Sequence, residues 1–203
     1  MAASTCQKNA ITLKGSTETV SEFFMYGINS ILYQRGIYPP ETFTRVQKYG
    51  LTVLMSTDEK LKVYLQQVLK QVKDWLLDTT LQKLVIVIKS LDTNEVMERW
   101  QFNVECDKTV KTDSKPREKS EKEIQKEIMG VIRQITASVT FLPLLETACV
   151  FDILAYTDKD QDVPETWGEA GPHFIANSQE VRLRSFTTTI HKVDAMVAYR
   201  NDD

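Results

Sequence analysis

Two histidines, His173 and His191, and three cysteines, Cys6, Cys106 and Cys149, carry the side chains best suited to nucleophilic or metal chemistry. Their spacing does not serve it. A tetrahedral metal centre needs several His, Cys or carboxylate ligands brought together, and the histidines stand in no ligand spacing. Each is expected as an exposed or turn histidine. A catalytic thiol needs a basic neighbour that lowers its pKa. Cys106 and Cys149 instead fall in apolar, strand-like sequence, where burial is expected. Asp158, Asp160 and Asp162 begin like a calcium loop, but Val163 stands where that loop turns on glycine. The 7 glycines form no G-x-x-x-x-G-K-[ST] phosphate loop and no G-x-G-x-x-G turn, and no G-x-S-x-G elbow occurs. Residues 108–126 are rich in lysine and arginine, but acidic residues are interleaved and no aromatic joins them. They read as a solvated loop and helix start rather than a phosphate track. No catalytic, cofactor-binding or metal-binding residue is expected, and the class that remains is a binding module.

The elements that would position a binding surface follow from periodicity. Val20, Phe23, Phe24, Gly27, Ile28, Ile31 and Leu32 recur at helical spacing and predict a helix over 16–35. Ser16 and Thr17 can cap its start, and Gly36 with Pro39-Pro40 ends it. Ser56-Thr-Asp-Glu59 opens a second helix with the stripe Leu61, Tyr64, Leu65, Val68, Val72, Trp75 and Leu76. Ser120-Glu-Lys-Glu123 opens a third, with Ile124, Ile128, Val131, Ile132 and Ile135. Between the last two lies a hairpin. Residues 82–89 are apolar on both faces, Asp92-Thr-Asn94 supplies the turn, and 99–106 alternates cleanly. Residues 107–119 read as a polar loop, and Leu144 to Tyr156 as a long strand. Helices and strands do not alternate strictly, so the fold class is α+β with a mainly antiparallel sheet.

With 203 residues, 42% of them hydrophobic, one domain with a sizeable core is expected. A net charge of −3 gives no general attraction to nucleic acid or anionic membrane, and neither is expected as a partner. An odd cysteine count, no hydrophobic leader and no bilayer-length apolar run point to a reducing compartment, nucleus or cytoplasm.

The polar stretch from Thr157 to Glu180 contains Pro164, Gly168, Gly171 and Pro172, and it delivers strand-like sequence at Val181–Ile190 and Val193–Tyr199. Loops of that length are uncommon inside compact domains. It reads either as an ordinary long connection or as a strap whose movement relocates its hairpin and frees a sheet edge.

Four segments carry a resemblance: Phe24–Pro39, Glu41–Gly50, Arg133–Glu146 and Arg182–Tyr199. Together they resemble HORMA-domain proteins of the spindle assembly checkpoint, over about residues 11–199. The resemblance implies one domain at 11–199, with a core of three main helices on the sheet at about 11–156. A mobile C-terminal safety belt and terminal hairpin follow at about 157–199, between flexible termini 1–10 and 200–203. It implies a non-catalytic conformational switch of the mitotic cell cycle. In the open form the terminal hairpin pairs with the strand at 144–156; in the closed form it moves to the other sheet edge and a ligand peptide takes its place. The peptide would add to Val150, Phe151, Asp152, Ile153, Leu154, Ala155 and Tyr156 under a belt pinned by Trp167, Arg182, Phe186, Ile190, Val193, Val197 and Tyr199. Arg133, Gln134, Phe141 and Arg184 match a surface for an open–closed self-dimer or an adaptor, although periodicity alone favours a core role for Phe141. Leu13 matches a position that controls the conformer. Implied partners are the checkpoint scaffold (mitotic arrest deficient protein one), the mitotic co-activator of the anaphase-promoting complex, a Bub-related checkpoint kinase, a HORMA-like silencing adaptor and a remodelling ATPase. Implied locations are nucleus and cytoplasm, with kinetochores and spindle poles in mitosis. The alternatives are a HORMA adaptor of translesion synthesis or meiotic axes, and an enzyme with no recognisable motif.

Overall fold

In the computed structural model, which describes residues 9–201, the first segments are β1 (Ala10–Ile11), α1 (Leu13–Gln34), β2 (Phe43–Lys48), β3 (Leu51–Ser56) and α2 (Glu59–Leu77). There follow β4 (Leu81–Ser90), β5 (Val96–Cys106), β6 (Arg117–Glu118), α3 (Glu121–Ala137), β7 (Cys149–Thr157), β8 (Ser178–Thr187) and β9 (His191–Arg200). Five strands form one antiparallel sheet in the order β7-β4-β5-β9-β8. Trp100, Phe102 and Val104 of β5 and Val193, Ala195 and Val197 of β9 point to one face, where the helices cover them. Phe23 of α1 packs edge-on against Phe102 and Phe186, tying helix, sheet centre and terminal hairpin into one core.

Helix ends differ from expectation in instructive ways. Thr12, not Ser16 or Thr17, caps α1: its Oγ1 accepts from Gly15 N at 3.0 Å. Ser16 and Thr17 are buried inside the first turn instead. At the other end Gly36, at φ 65, lets Ile37 N and Gly36 N reach back to Leu32 O and Tyr33 O at 3.0 and 3.1 Å, the paired closure that a left-handed glycine permits. Asp58 caps α2 by accepting from Leu61 N at 2.8 Å, so the expected Ser56 box is not formed. Ser120 stands at the N-cap of α3 without a side-chain bond. Tyr64, placed in the α2 stripe by spacing, is exposed, whereas Leu69 joins the core.

Other corrections concern strands and buried polar groups. The strand expected from Leu144 begins at Cys149, and Leu144 is 86% exposed. A buried ion pair fixes the chain just before this strand. Arg35, at the end of α1, donates to Glu98 of β5 at 2.8 Å and to Pro143 O at 2.5 Å, tying residue 143 to the end of α1. Trp100 Nε1 also donates to Glu98 at 3.1 Å. Both ions are enclosed and mutually satisfied, so removing either would leave the other uncompensated, at a cost of about 3–5 kcal/mol. Ala10 and Arg200, expected in flexible termini, lie in strands. Residues 1–8 and 202–203, and with them Cys6, lie outside the described residues. Cys106 and Cys149 are half-buried, and burial raises both thiols above their ordinary pKa, Cys106 to about 11.

His191 is not exposed. It is 1% accessible, with Nε2 3.3 Å from Leu76 O and Nδ1 2.7 Å from Ser16 Oγ. Ser16 Oγ in turn lies 2.5 Å from Thr188 Oγ1. Serine beside histidine suggests a nucleophile and base, but the whole group is enclosed between helices and hairpin, where no substrate reaches it. His173 is half-buried in irregular chain before β8, at φ 48.

Candidate functional site

The terminal hairpin β8–β9 pairs with β5 on the side of the sheet away from β7. Among the described residues β7 therefore pairs only with β4, and its other edge carries no strand. An edge strand presents a row of unpaired N–H and C=O groups, which native folds usually cover or blunt. Here the cover is the strap between β7 and β8. Among the described residues no backbone hydrogen bond joins residues 159–176 to β7.

The strap goes around that edge. Its first anchor is Asp158, whose N donates to Thr80 O at 3.0 Å and whose carboxylate accepts from Gln82 at 2.8 Å and Lys108 at 2.6 Å. These donors hold the Asp158 carboxyl below its ordinary pKa, the Lys108 bond leading. On the helix side of the sheet, Trp167 packs edge-on against Trp75 of α2, with centroids 4.9 Å apart. On the opposite side, Phe174 lies over the Arg99 guanidinium at 5.7 Å. Residues 168–173 thus cross from one face to the other outside β7. The second anchor is where the strap enters β8: Asn201 N donates to Asn177 O at 3.1 Å and Asn177 Nδ2 to Asn201 O at 3.0 Å.

Between strap, β7 and α2 lies a cavity of about 640 Å³. Ile153–Tyr156 form its floor, Tyr64, Val68 and Lys70 one wall, and Thr166–Gly168, Ala170 and Gly171 the other. Ile153 and Ala155 face the helix layer, while Asp152, paired with Lys89, and Tyr156, under Lys83 Nζ at 4.8 Å, face away. Phe151 stacks edge-on against Tyr38 and Tyr64. Partial burial of its ring, then the Asp152 carboxylate, raises the Tyr64 phenol above its ordinary pKa. The arrangement suits an extended chain. Main-chain bonds to β7 would supply affinity, and alternate side chains would enter the apolar cavity or face the strap.

The expected belt residues fall into three groups. Phe186, Ile190, Val193 and Val197 are buried and fix the hairpin; Trp167 and Tyr199 are half-buried, Tyr199 donating to Gln179 at 2.8 Å; Arg182 is exposed. A second constellation forms on α3. One extra residue in β8 between Arg182 and Ser185 makes a bulge, which re-aims side chains. Arg184 turns onto α3, where a side chain at Gly130 would meet it at 3.3 Å. The freed Arg184 N donates to Gln134 Oε1. Arg133 is exposed beside them, and Phe141, 40% exposed, is not a core residue. Leu13 is buried with Val110 and Ile190 in a small cluster under the hairpin turn. Sequence reasoning read Tyr64 only as part of the α2 stripe and did not single out Lys70 or Arg99, because their roles arise from where the strap crosses and no local pattern encodes that.

The HORMA domain family profile matches residues 16–191. The chain belongs to the HORMA domain family. Within it, the chain falls among the mitotic spindle assembly checkpoint proteins. It is 66% identical over 200 residues to human "Mitotic spindle assembly checkpoint protein MAD2A", covering 98% of each chain. Its identity to the mouse protein of the same name is 64%, again over 98% of each. A chain in the crystal structure of the mitotic checkpoint complex superposes with a TM-score of 0.84 at 48% identity, covering 92% of this chain and 99% of that one.

Proposed function

We propose that this chain is a non-catalytic conformational switch of the spindle assembly checkpoint that captures a peptide by strand addition to β7 and holds it under the strap. The observation that carries the reading is the path of residues 168–173, which pass outside an unpaired sheet edge between Trp167 on one face and Phe174 on the other. A peptide on that edge is enclosed, so its release requires the strap to open, a slow sub-global event. The unit that acts is residues 11–199, and the edge is Val150–Tyr156. The ligands are segments of the checkpoint scaffold and of the anaphase-promoting complex co-activator, and capture inhibits that complex until kinetochores attach. The Bub-related kinase, the silencing adaptor and the remodelling ATPase complete the partner set. The sites of action are kinetochores and spindle poles in mitosis, within a nuclear and cytoplasmic pool. Amides of residues 150–156 are expected to gain strong protection from hydrogen exchange when a peptide of basic-apolar-apolar pattern ending in proline is added. Protection confined to α3 would remove β7 as the capture edge.

The same reading assigns self-pairing and adaptor binding to Arg133, Gln134, Phe141 and Arg184, and conformer control to Leu13. Arg133 projects from the polar side of α3, off the buried stripe. Reversing it should change stability by no more than about 0.5 kcal/mol. Placing like charges at a pairing surface costs several times that. Arg133→Glu is therefore expected to weaken self-pairing at least about tenfold in light scattering while peptide titration is unchanged. An unaltered dimer mass would take Arg133 out of the interface.

A further inference from the structure

Arginine is seldom enclosed without a carboxylate partner, yet Arg99 is 8% exposed in the middle of β5, on the face away from the helices. Its guanidinium donates to Gln101 Oε1 and to the Tyr156 hydroxyl, the latter at 3.3 Å, and lies under the Phe174 ring. Gln101 is itself fixed by donating to Asn103 at 2.8 Å. Arg99 Nε has no hydrogen-bond partner among the described residues, so carboxylate pairing does not account for its burial. Phe174, by contrast, is 76% exposed: one ring face rests on the cation and the rest is in water. One side chain thus touches both the edge strand, through Tyr156, and the crossing segment of the strap, through Phe174.

We propose that Arg99 is a clasp, a positioning residue that seats the crossing segment of the strap against the sheet and so sets how long a captured peptide stays. This rests on the peptide-capture reading above. The strap's two anchors, Asp158 and Asn177, lie at its ends, and Trp167 holds the helix side. Phe174 on Arg99 is the hold on the far side, after the strap has passed the edge. If the ring lifts, residues 168–173 can swing away from β7 without unpairing β8 from β9. A cation over an aromatic face at an exposed site carries enough free energy for an effect of about two- to fivefold on a rate.

The test is release of a fluorescein-labelled peptide of basic-apolar-apolar pattern ending in proline, chased with unlabelled peptide. Phe174→Leu keeps an apolar side chain but removes the ring face, and it is expected to speed release about two- to fivefold. Phe174→Trp, with a larger ring face, is expected to release no faster than the parent. Arg99→Met should match Phe174→Leu, and the double variant should be no faster than the faster single one. Thermal midpoints of the Phe174 variants should not move, because the side chain is exposed, whereas a merely structural role would move them with the rate. Parental release rates in Phe174→Leu, or effects that add in the double variant, would overturn the clasp. Exchange of amides 168–176 in the peptide-free protein gives an arm independent of capture. Faster exchange there in Phe174→Leu is expected, and unchanged exchange would overturn the clasp. If the parent protein captures no peptide, the capture reading fails, and this exchange arm still decides whether the clasp exists.

Discussion

Removal of residues 194–203 is expected to abolish peptide capture while leaving a folded protein. β9 stands between β5 and β8, and Ala195 and Val197 within it are buried at 4% and 0%. Without residues 194–200 β8 keeps only the pairing of Phe186 and Thr187 with Val193 and Lys192, and the strap loses its second anchor, since Asn177 and Gln179 bond to Asn201 and Tyr199. Affinity for a strand-added peptide depends on that anchor. With one end free, the strap no longer encloses the edge, and main-chain bonds alone hold the ligand. The helices lose the contacts that α1 makes with β9, but the rest of the framework stays: β4 pairs with β5 and β7, and α1 packs on α2, α3 and β3. The truncated chain should therefore retain near-parental helical circular dichroism and show no saturable binding of the labelled peptide. Slow peptide release from the truncated chain would show that the hairpin is not the anchor. Failure to fold would show that β9 is indispensable core rather than a separable element.

What was legible beforehand divides along the range of the interactions. The three helices came from local periodicity, and Ile124, Ile128, Val131, Ile132 and Ile135 are all buried as their spacing required. The hairpin β4–β5 was equally local. The hairpin β2–β3 was not read, because its strands are short and mixed in polarity. Its signal was Tyr49-Gly50, whose φ values of 53 and 70 make the tight two-residue turn that favours glycine. β7 has apolar residues on both faces, as a central strand does, so its sequence could not announce an edge. Whether it is one depends on which side of the sheet receives β8 and β9. The alternation of Val193, Ala195 and Val197 suits either side, and pairing of distant strands leaves no periodic trace. The burial of His191 was hidden for the same reason, since its partners Ser16 and Leu76 lie far away in sequence.

That histidine makes the stability of this arrangement depend on pH. Leu76 O can only accept, so Nε2 carries the proton and Nδ1 accepts from Ser16, whose oxygen is then free to accept from Thr188. The surroundings suit a neutral ring. Cys106 lies opposite in the ladder, and the charges near the turn are paired: Lys192 with Asp194, and Arg117 with Asp107, Arg117 also donating to Thr189 O at 2.7 Å. Burial lowers the His191 pKa from its ordinary 6.5 to about 4. The unfolded chain takes up a proton near 6.5 and the folded chain only near 4, so across that window the unfolded state binds more protons. Stability is then fully present above the upper value, falls as pH is lowered through the window, and loses nothing further from this group below it. Each pKa unit is about 1.4 kcal/mol, so the loss is roughly 3 kcal/mol. Urea unfolding at the two ends of the window should show it, and His191→Gln, which cannot take up the proton, should remove most of the difference. A variant as acid-sensitive as the parent would assign the loss to carboxylates instead. Since Thr188 and His191 belong to the hairpin while Ser16 and Leu76 belong to the helices, the penalty falls on the contact that seats the hairpin's turn end against the helices. Acid should therefore loosen the turn end of the hairpin, near 187–192, before it unfolds the helices.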